Sequence, residues 1–178
     1  MFGYIDGYVR RFWQMSHDHR GTEESPGFVV TVIERDVFLK YGDEDIHENE
    51  DFKCWGMAYK IKSGCEEEVL KHLDFREKDG YTIHKVKVYS EDFEDPSTKH
   101  VLLNDVIVYI GKEDNPSFGG PLDIPTVAQT IASSVGPSGS NYDYLINLVE
   151  ALRSKSPSSL DKYLVQLNSE VSKIKGKN

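Results

Sequence analysis

Pro26-Gly-Phe-Val-Val-Thr-Val-Ile-Glu34 is the stretch that sets the fold class. Pro-Gly marks a turn, and the β-branched run behind it reads as a strand. Further along, Trp55, Met57, Tyr59 and Ile61 alternate with smaller or charged residues, the period of a half-buried strand. Thr82 to Tyr89 and Val101 to Ile110, rich in Val, Ile and Tyr, add two more. The acidic stretch 37–51 reads as a surface loop or insertion. After residue 120 the period becomes helical. Pro125 suits the first turn of a helix running through Ile131 and closed near Gly136. Asn141 is expected to cap a second helix, with Leu145, Leu148, Val149 and Leu152 on one face. Leu160, Leu164, Leu167, Val171 and Ile174 mark a last one. Strands first and helices later predict an α+β fold, with residues 1–178 as one domain.

Composition narrows the function classes. Thirty Asp and Glu against 21 Lys and Arg give a net charge of −9. That charge argues against nonspecific binding to nucleic acid or to an anionic membrane. No stretch is apolar and long enough to span a bilayer, and residues 1–20 are too polar for a secretory leader, so the cytosol is the expected compartment. Cys54 and Cys65 have no metal or redox spacing and read as free thiols, with a disulfide as the alternative.

The segment 63–80 carries the candidate chemistry. Ser63-Gly-Cys-Glu66 matches a capping box, and Glu66, Glu67 and Glu68 fall in the first helical turn, where the dipole favours negative charge. At about 100° per residue, Leu70 and Leu73 define the apolar stripe and Glu77 falls between them, one turn on. Glu68 faces the other way. An acid on an apolar stripe is a candidate general base, because desolvation raises its pKa. The alternative is structural: the helix ends before Glu77, or the carboxylate pairs with Arg76 or a lysine.

Other constellations carry less. His17-Asp-His19 lacks further ligands at a telling spacing, which argues against a metal. Arg10-Arg11-Phe12-Trp13 reads as a core aromatic pair beside one structural arginine. Gly136-Pro-Ser-Gly139 lacks a P-loop lysine and reads as a rigid turn.

Taken in order, several segments resemble one family. They are Arg10-Arg-Phe-Trp-Gln14, Ser16, Asp18-His-Arg-Gly21, Pro26-Gly27 with the following VVT, Trp55-Gly56, Ala58-Tyr59, Leu73-Asp-Phe-Arg-Glu77 and Gly80-Tyr81. Tyr109-Ile-Gly111, Asp114-Asn115, Gly120-Pro121, Gly136-Pro-Ser-Gly139, Asn141 and Tyr144-Leu145 complete the set. This colinear pattern resembles the ChaC family, the glutathione-specific γ-glutamylcyclotransferases. The resemblance implies a partly closed β-barrel with helices packed outside. It also implies conversion of glutathione to 5-oxoproline and cysteinylglycine, with no cofactor and no metal. Glu77 matches the family's catalytic glutamate. Glu68 matches a second acidic position, suited to gating or to the substrate's end, and Tyr109 and Arg20 are candidates to hold the substrate's carboxylates. Glutathione is the expected partner, and no oligomeric state is implied.

The chain also departs from the pattern. The family opens with a buried strand running into a Tyr-Gly-Ser-Leu turn whose amides cradle the γ-glutamyl group, and no such sequence occurs here. The first strand and the substrate loop are therefore expected to be absent, leaving an open barrel edge. Met15, His17 and Phe28 are further departures. Two readings follow: an active cyclotransferase, or a catalytically impaired relative that binds γ-glutamyl peptides or a regulatory partner.

Overall fold

The computed structural model describes residues 1–41, 51–76, 80–91, 98–156 and 159–176. The chain opens with β1 (Phe2–Asp6) and β2 (Tyr8–Ser16), joined at Gly7. Gly7 has φ +86°, a conformation that costs a glycine little, and there the chain passes from one sheet to another. Then come β3 (Gly27–Glu34), α1 (Arg35–Tyr41), β4 (Lys53–Met57), α2 (Glu66–Arg76), β5 (Tyr81–Glu91) and β6 (Lys99–Gly111). The last part holds α3 (Ile124–Ser133), the short pair β7 (Val135–Gly136) and β8 (Gly139–Ser140), α4 (Asn141–Lys155) and α5 (Lys162–Lys175). The result is the expected α+β arrangement.

Two main sheets form. One has the order β4-β1-β5-β6, all antiparallel, and the other is the β2-β3 pair. Among the described residues no ladder joins them, so the barrel is only partly closed. Aromatic side chains run across the larger sheet: Phe2 stacks on Trp55 at 5.3 Å, and Tyr4 contacts Trp55 at 5.0 Å and Tyr89 at 5.7 Å.

The main core lies between the β2-β3 pair and the three C-terminal helices. Phe12 and Phe28 meet Val127, Ile131, Leu145, Leu164, Leu167 and Val171 there. These helices form because each carries an apolar stripe and an N-cap. Asp123, Ser140 and Asp161 accept hydrogen bonds from the amides of Thr126, Asp143 and Leu164. A smaller cluster of Val9, Trp13, Ile33 and Phe38 fills the space under α1.

Several expectations change. Residues 35–41, partly inside the acidic stretch, are helical because Phe38 is fully buried and stacks on Trp13; residues 42–50 lie outside the described residues. The strand expected over Trp55–Ile61 stops at Met57. Ser140 caps α4, while Asn141 turns inward: its Oδ1 accepts from the Phe28 amide and its Nδ2 donates to the Phe28 carbonyl, both at 2.7 Å. Both Arg10 and Arg11 are buried, where one structural arginine was expected. Arg11 lies between the rings of Phe38 and Tyr163, at 4.5 and 4.6 Å.

Candidate active site

A cavity of about 1270 Å³ opens between the two main sheets. Val29 to Val32 of β3 and Val106 to Tyr109 of β6 line it as consecutive residues, so each strand presents its edge to the cavity. Among the described residues β3 pairs only with β2, and β6 only with β5. Tyr4 and Trp55 add the aromatic wall. Burial pushes the Tyr4 phenol up, more than the nearby Lys53 and Lys99 ammonium groups pull it down, so the hydroxyl stays protonated near neutral pH.

Glu77 lies outside the described residues, and Asp74 and Gly80 flank it. On one side, Asp74 of α2 accepts a 2.7 Å hydrogen bond from the Tyr109 hydroxyl. On the other, the Gly80 carbonyl accepts from the Lys112 amide at 2.8 Å and from Asn115 Nδ2 at 3.5 Å. Tyr109 and Asn115 both line the cavity, so Asp74 and Gly80, on either side of Glu77 in the chain, are both tied to the cavity wall.

The helix leading to Glu77 differs from its reading. Ser63 does not cap it; α2 begins at Glu66, whose carboxylate accepts from the Gly64 amide at 2.7 Å. Gly64 takes φ +87°, which breaks the reciprocal box. Leu70 and Leu73 are only half-buried, so the apolar stripe is shallow. Glu68 is exposed in the first turn.

Arg20 stands at the cavity rim, just past the end of β2. Its Nη1 donates to the Ser138 carbonyl at 2.7 Å and to the Ser140 carbonyl at 3.5 Å, and its guanidinium lies 5.3 Å from the Tyr144 ring centre. Arg10, also on the wall, is committed elsewhere. It pairs with Asp161 at 2.8 Å and donates to the Trp55 carbonyl.

The structure thus brings Arg20 and Tyr109 to one cavity and leaves Glu68 on the outer turn of α2. Sequence reasoning gave no role to Asn115 or Ser138. Both sit in turns whose polar residues looked merely conformational, and only their cavity-lining positions single them out. Among the described residues no group of three or more His, Cys, Asp or Glu is arranged to hold a metal.

The family model for ChaC-like proteins matches residues 1–174. The chain is 38% identical over 170 residues to the glutathione-specific γ-glutamylcyclotransferase of Schizosaccharomyces pombe, covering 96% of this chain and 81% of that one. It is 39% identical over 175 residues to the enzyme of the same name from Saccharomyces cerevisiae, covering 83% and 75%. A crystal structure of the glutathione-specific γ-glutamylcyclotransferase from yeast superposes with a TM-score of 0.80 at 38% identity, covering 97% of this chain and 87% of that one. A match over nearly the whole sequence, with the same fold at this identity, means that the chain belongs to the ChaC-like protein family.

Proposed function

We propose that this chain is a glutathione-specific γ-glutamylcyclotransferase, a carbon–nitrogen lyase that acts on glutathione in the cytoplasm as a single domain and without a cofactor. The observation that carries this reading is the cavity whose wall residues, Tyr109 and Asn115, anchor both flanks of the Glu77 segment. The family relationship supports it.

In this reading the substrate's α-amino nitrogen attacks its own γ-carbonyl carbon. Glu77 takes a proton from that nitrogen as the new C–N bond closes the five-membered ring. It then delivers the proton to the cysteinyl nitrogen as the old amide bond breaks, so the products are 5-oxoproline and cysteinylglycine and no water is consumed. Since nucleophile and electrophile share one molecule, the protein's main task is to hold the reactive rotamer. Arg20 and Tyr109 serve the substrate's carboxylates, and Glu68, on the outer turn of α2, serves as a gate or meets the substrate's end.

Purified chain incubated with glutathione is expected to release 5-oxoproline and cysteinylglycine one for one. Glu77→Gln is expected to slow this on the order of 10²–10⁴-fold at an unchanged melting temperature. Equal rates would remove Glu77 from the mechanism. The β3 and β6 edges, beside which no further strand lies among the described residues, favour a second reading, a binder of γ-glutamyl peptides without turnover. Calorimetric binding of glutathione with no product from either protein would select that one.

A further inference from the structure

We propose that the rim formed by His19, Arg20 and Ser138 binds the glycyl carboxylate of glutathione and makes the site selective for the tripeptide. This rests on the function proposed above and adds the end of the substrate that the ring closure itself does not use.

The rim is rigid by construction. The Ser138 amide donates to the His19 carbonyl at 3.0 Å, and the Arg20 amide donates to the Ser16 hydroxyl at 2.9 Å. A Cβ at Gly136 would lie 2.2 Å from the His19 carbonyl oxygen and 2.6 Å from the Gly21 nitrogen, so only glycine lets the β7–β8 turn rest on this backbone. Three residues thereby line one opening on a backbone with little freedom to rearrange.

The rim also carries uncompensated positive charge. Among the described residues no carboxylate lies within ion-pair distance of Arg20, although acids outnumber bases 30 to 21 in the chain. The two carbonyls that receive Nη1 fix the guanidinium without neutralising it, leaving donors of its fork for an anion. Arg10 makes the contrast, with Asp161 at 2.8 Å. Beside Arg20, the Ser138 hydroxyl lies 3.1 Å from His19 Nδ1, and His19 Nε2 lies 3.9 Å from Asp18. A carboxylate fits this set: a fixed cation, a hydroxyl donor and an imidazole that orients the hydroxyl.

The position selects which carboxylate. Asp74 and Gly80, on either side of Glu77 in the chain, bond to β6 and the turn after it, whereas the rim belongs to the end of β2 and the β7–β8 turn, on the side of the other sheet. The mechanism proposed above sets the γ-carbonyl carbon at Glu77, and of the substrate's two carboxylates the glycyl one is the farther from that carbon along the chain, so it is the one assigned to the rim.

The test compares glutathione with its glycinamide, in which that charge is removed. Wild-type kcat/KM is expected to favour the free acid by about 10–100-fold, the scale of a charged hydrogen bond. Arg20→Gln is expected to bring this ratio to about 1, mainly through KM for the free acid, with Ser138→Ala intermediate. A wild-type ratio near 1, or an unchanged ratio in Arg20→Gln, would overturn the proposal. A general disturbance of the fold lowers both substrates together and leaves the ratio intact. Should the wild type release no 5-oxoproline at all, the same two ligands compared by calorimetry still decide the question for the rim.

Discussion

The two halves of the molecule are built to different standards. On the β2-β3 side, three capped helices bury a continuous cluster in which Leu145, Leu164, Leu167 and Val171 are fully inaccessible. On the other side, none of the described side chains of α2 is fully buried, Leu70 and Leu73 are half-buried, and Phe75 is 70% exposed. Yet α2 leads into the proposed catalytic residue, and the helical half carries none. The difference teaches that stability and chemistry are separated here, with the frame holding the rim and β3 while the acid follows, in the chain, a lightly packed helix. Such segments are drawn from the less stable parts of a fold, where motion is affordable.

The comparison can be pressed by mutation. Leu164→Ala empties a fully buried site and is expected to cost about 2–5 kcal/mol, read as the shift of the urea midpoint. Leu73→Ala, the matching truncation on α2, is expected to cost about 1 kcal/mol because its side chain is only half-buried. Equal costs would erase the contrast. Asn141→Ala strands the Phe28 amide and carbonyl in a buried setting and is expected to cost about 2–4 kcal/mol by chemical denaturation. An effect as small as that of Leu73→Ala falls on Asp123→Ala, which removes the α3 cap at about 1 kcal/mol.

That last difference should depend on pH. The Thr126 hydroxyl, and after it the Thr126 amide, hold the Asp123 carboxyl below its usual range. A depressed folded pKa means that the stabilisation is present above the unfolded value, about 4, and fades as pH falls through it and then through the folded pKa. The gap between wild type and Asp123→Ala, measured by thermal melting from pH 7 to pH 3, is expected to close on the acid side. A gap constant over that range would mean the cap does not act through its charge.

How much of this was legible depended on how each residue is packed. The β5–β6 hairpin and the three late helices were readable because each has one wet face, which leaves a period in the sequence. β2 was not, since Val9 to Gln14 are buried on both faces and no alternation survives. α1 was hidden for a different reason: it is short, acidic in context, and held by one ring, Phe38, against Trp13. In the site, helical geometry singled out Glu77, while Arg20 and Tyr109 came only from the family pattern. Ser138 and Asn115 had no signal of their own, because a turn residue's value lies in what the fold brings beside it.

Asp161 has a consequence beyond its own helix. One of its oxygens caps α5 through the Leu164 amide, and the other holds Arg10, which in turn grips the Trp55 carbonyl on β4. Unwinding the first turn of the last helix would therefore release a cation next to the aromatic wall. The C-terminal helix and the strand facing the substrate should open as one cooperative unit, with amide protection in β4 and α5 lost together. A chain whose end is damaged would then lose the shape of its cavity before it loses its sheets.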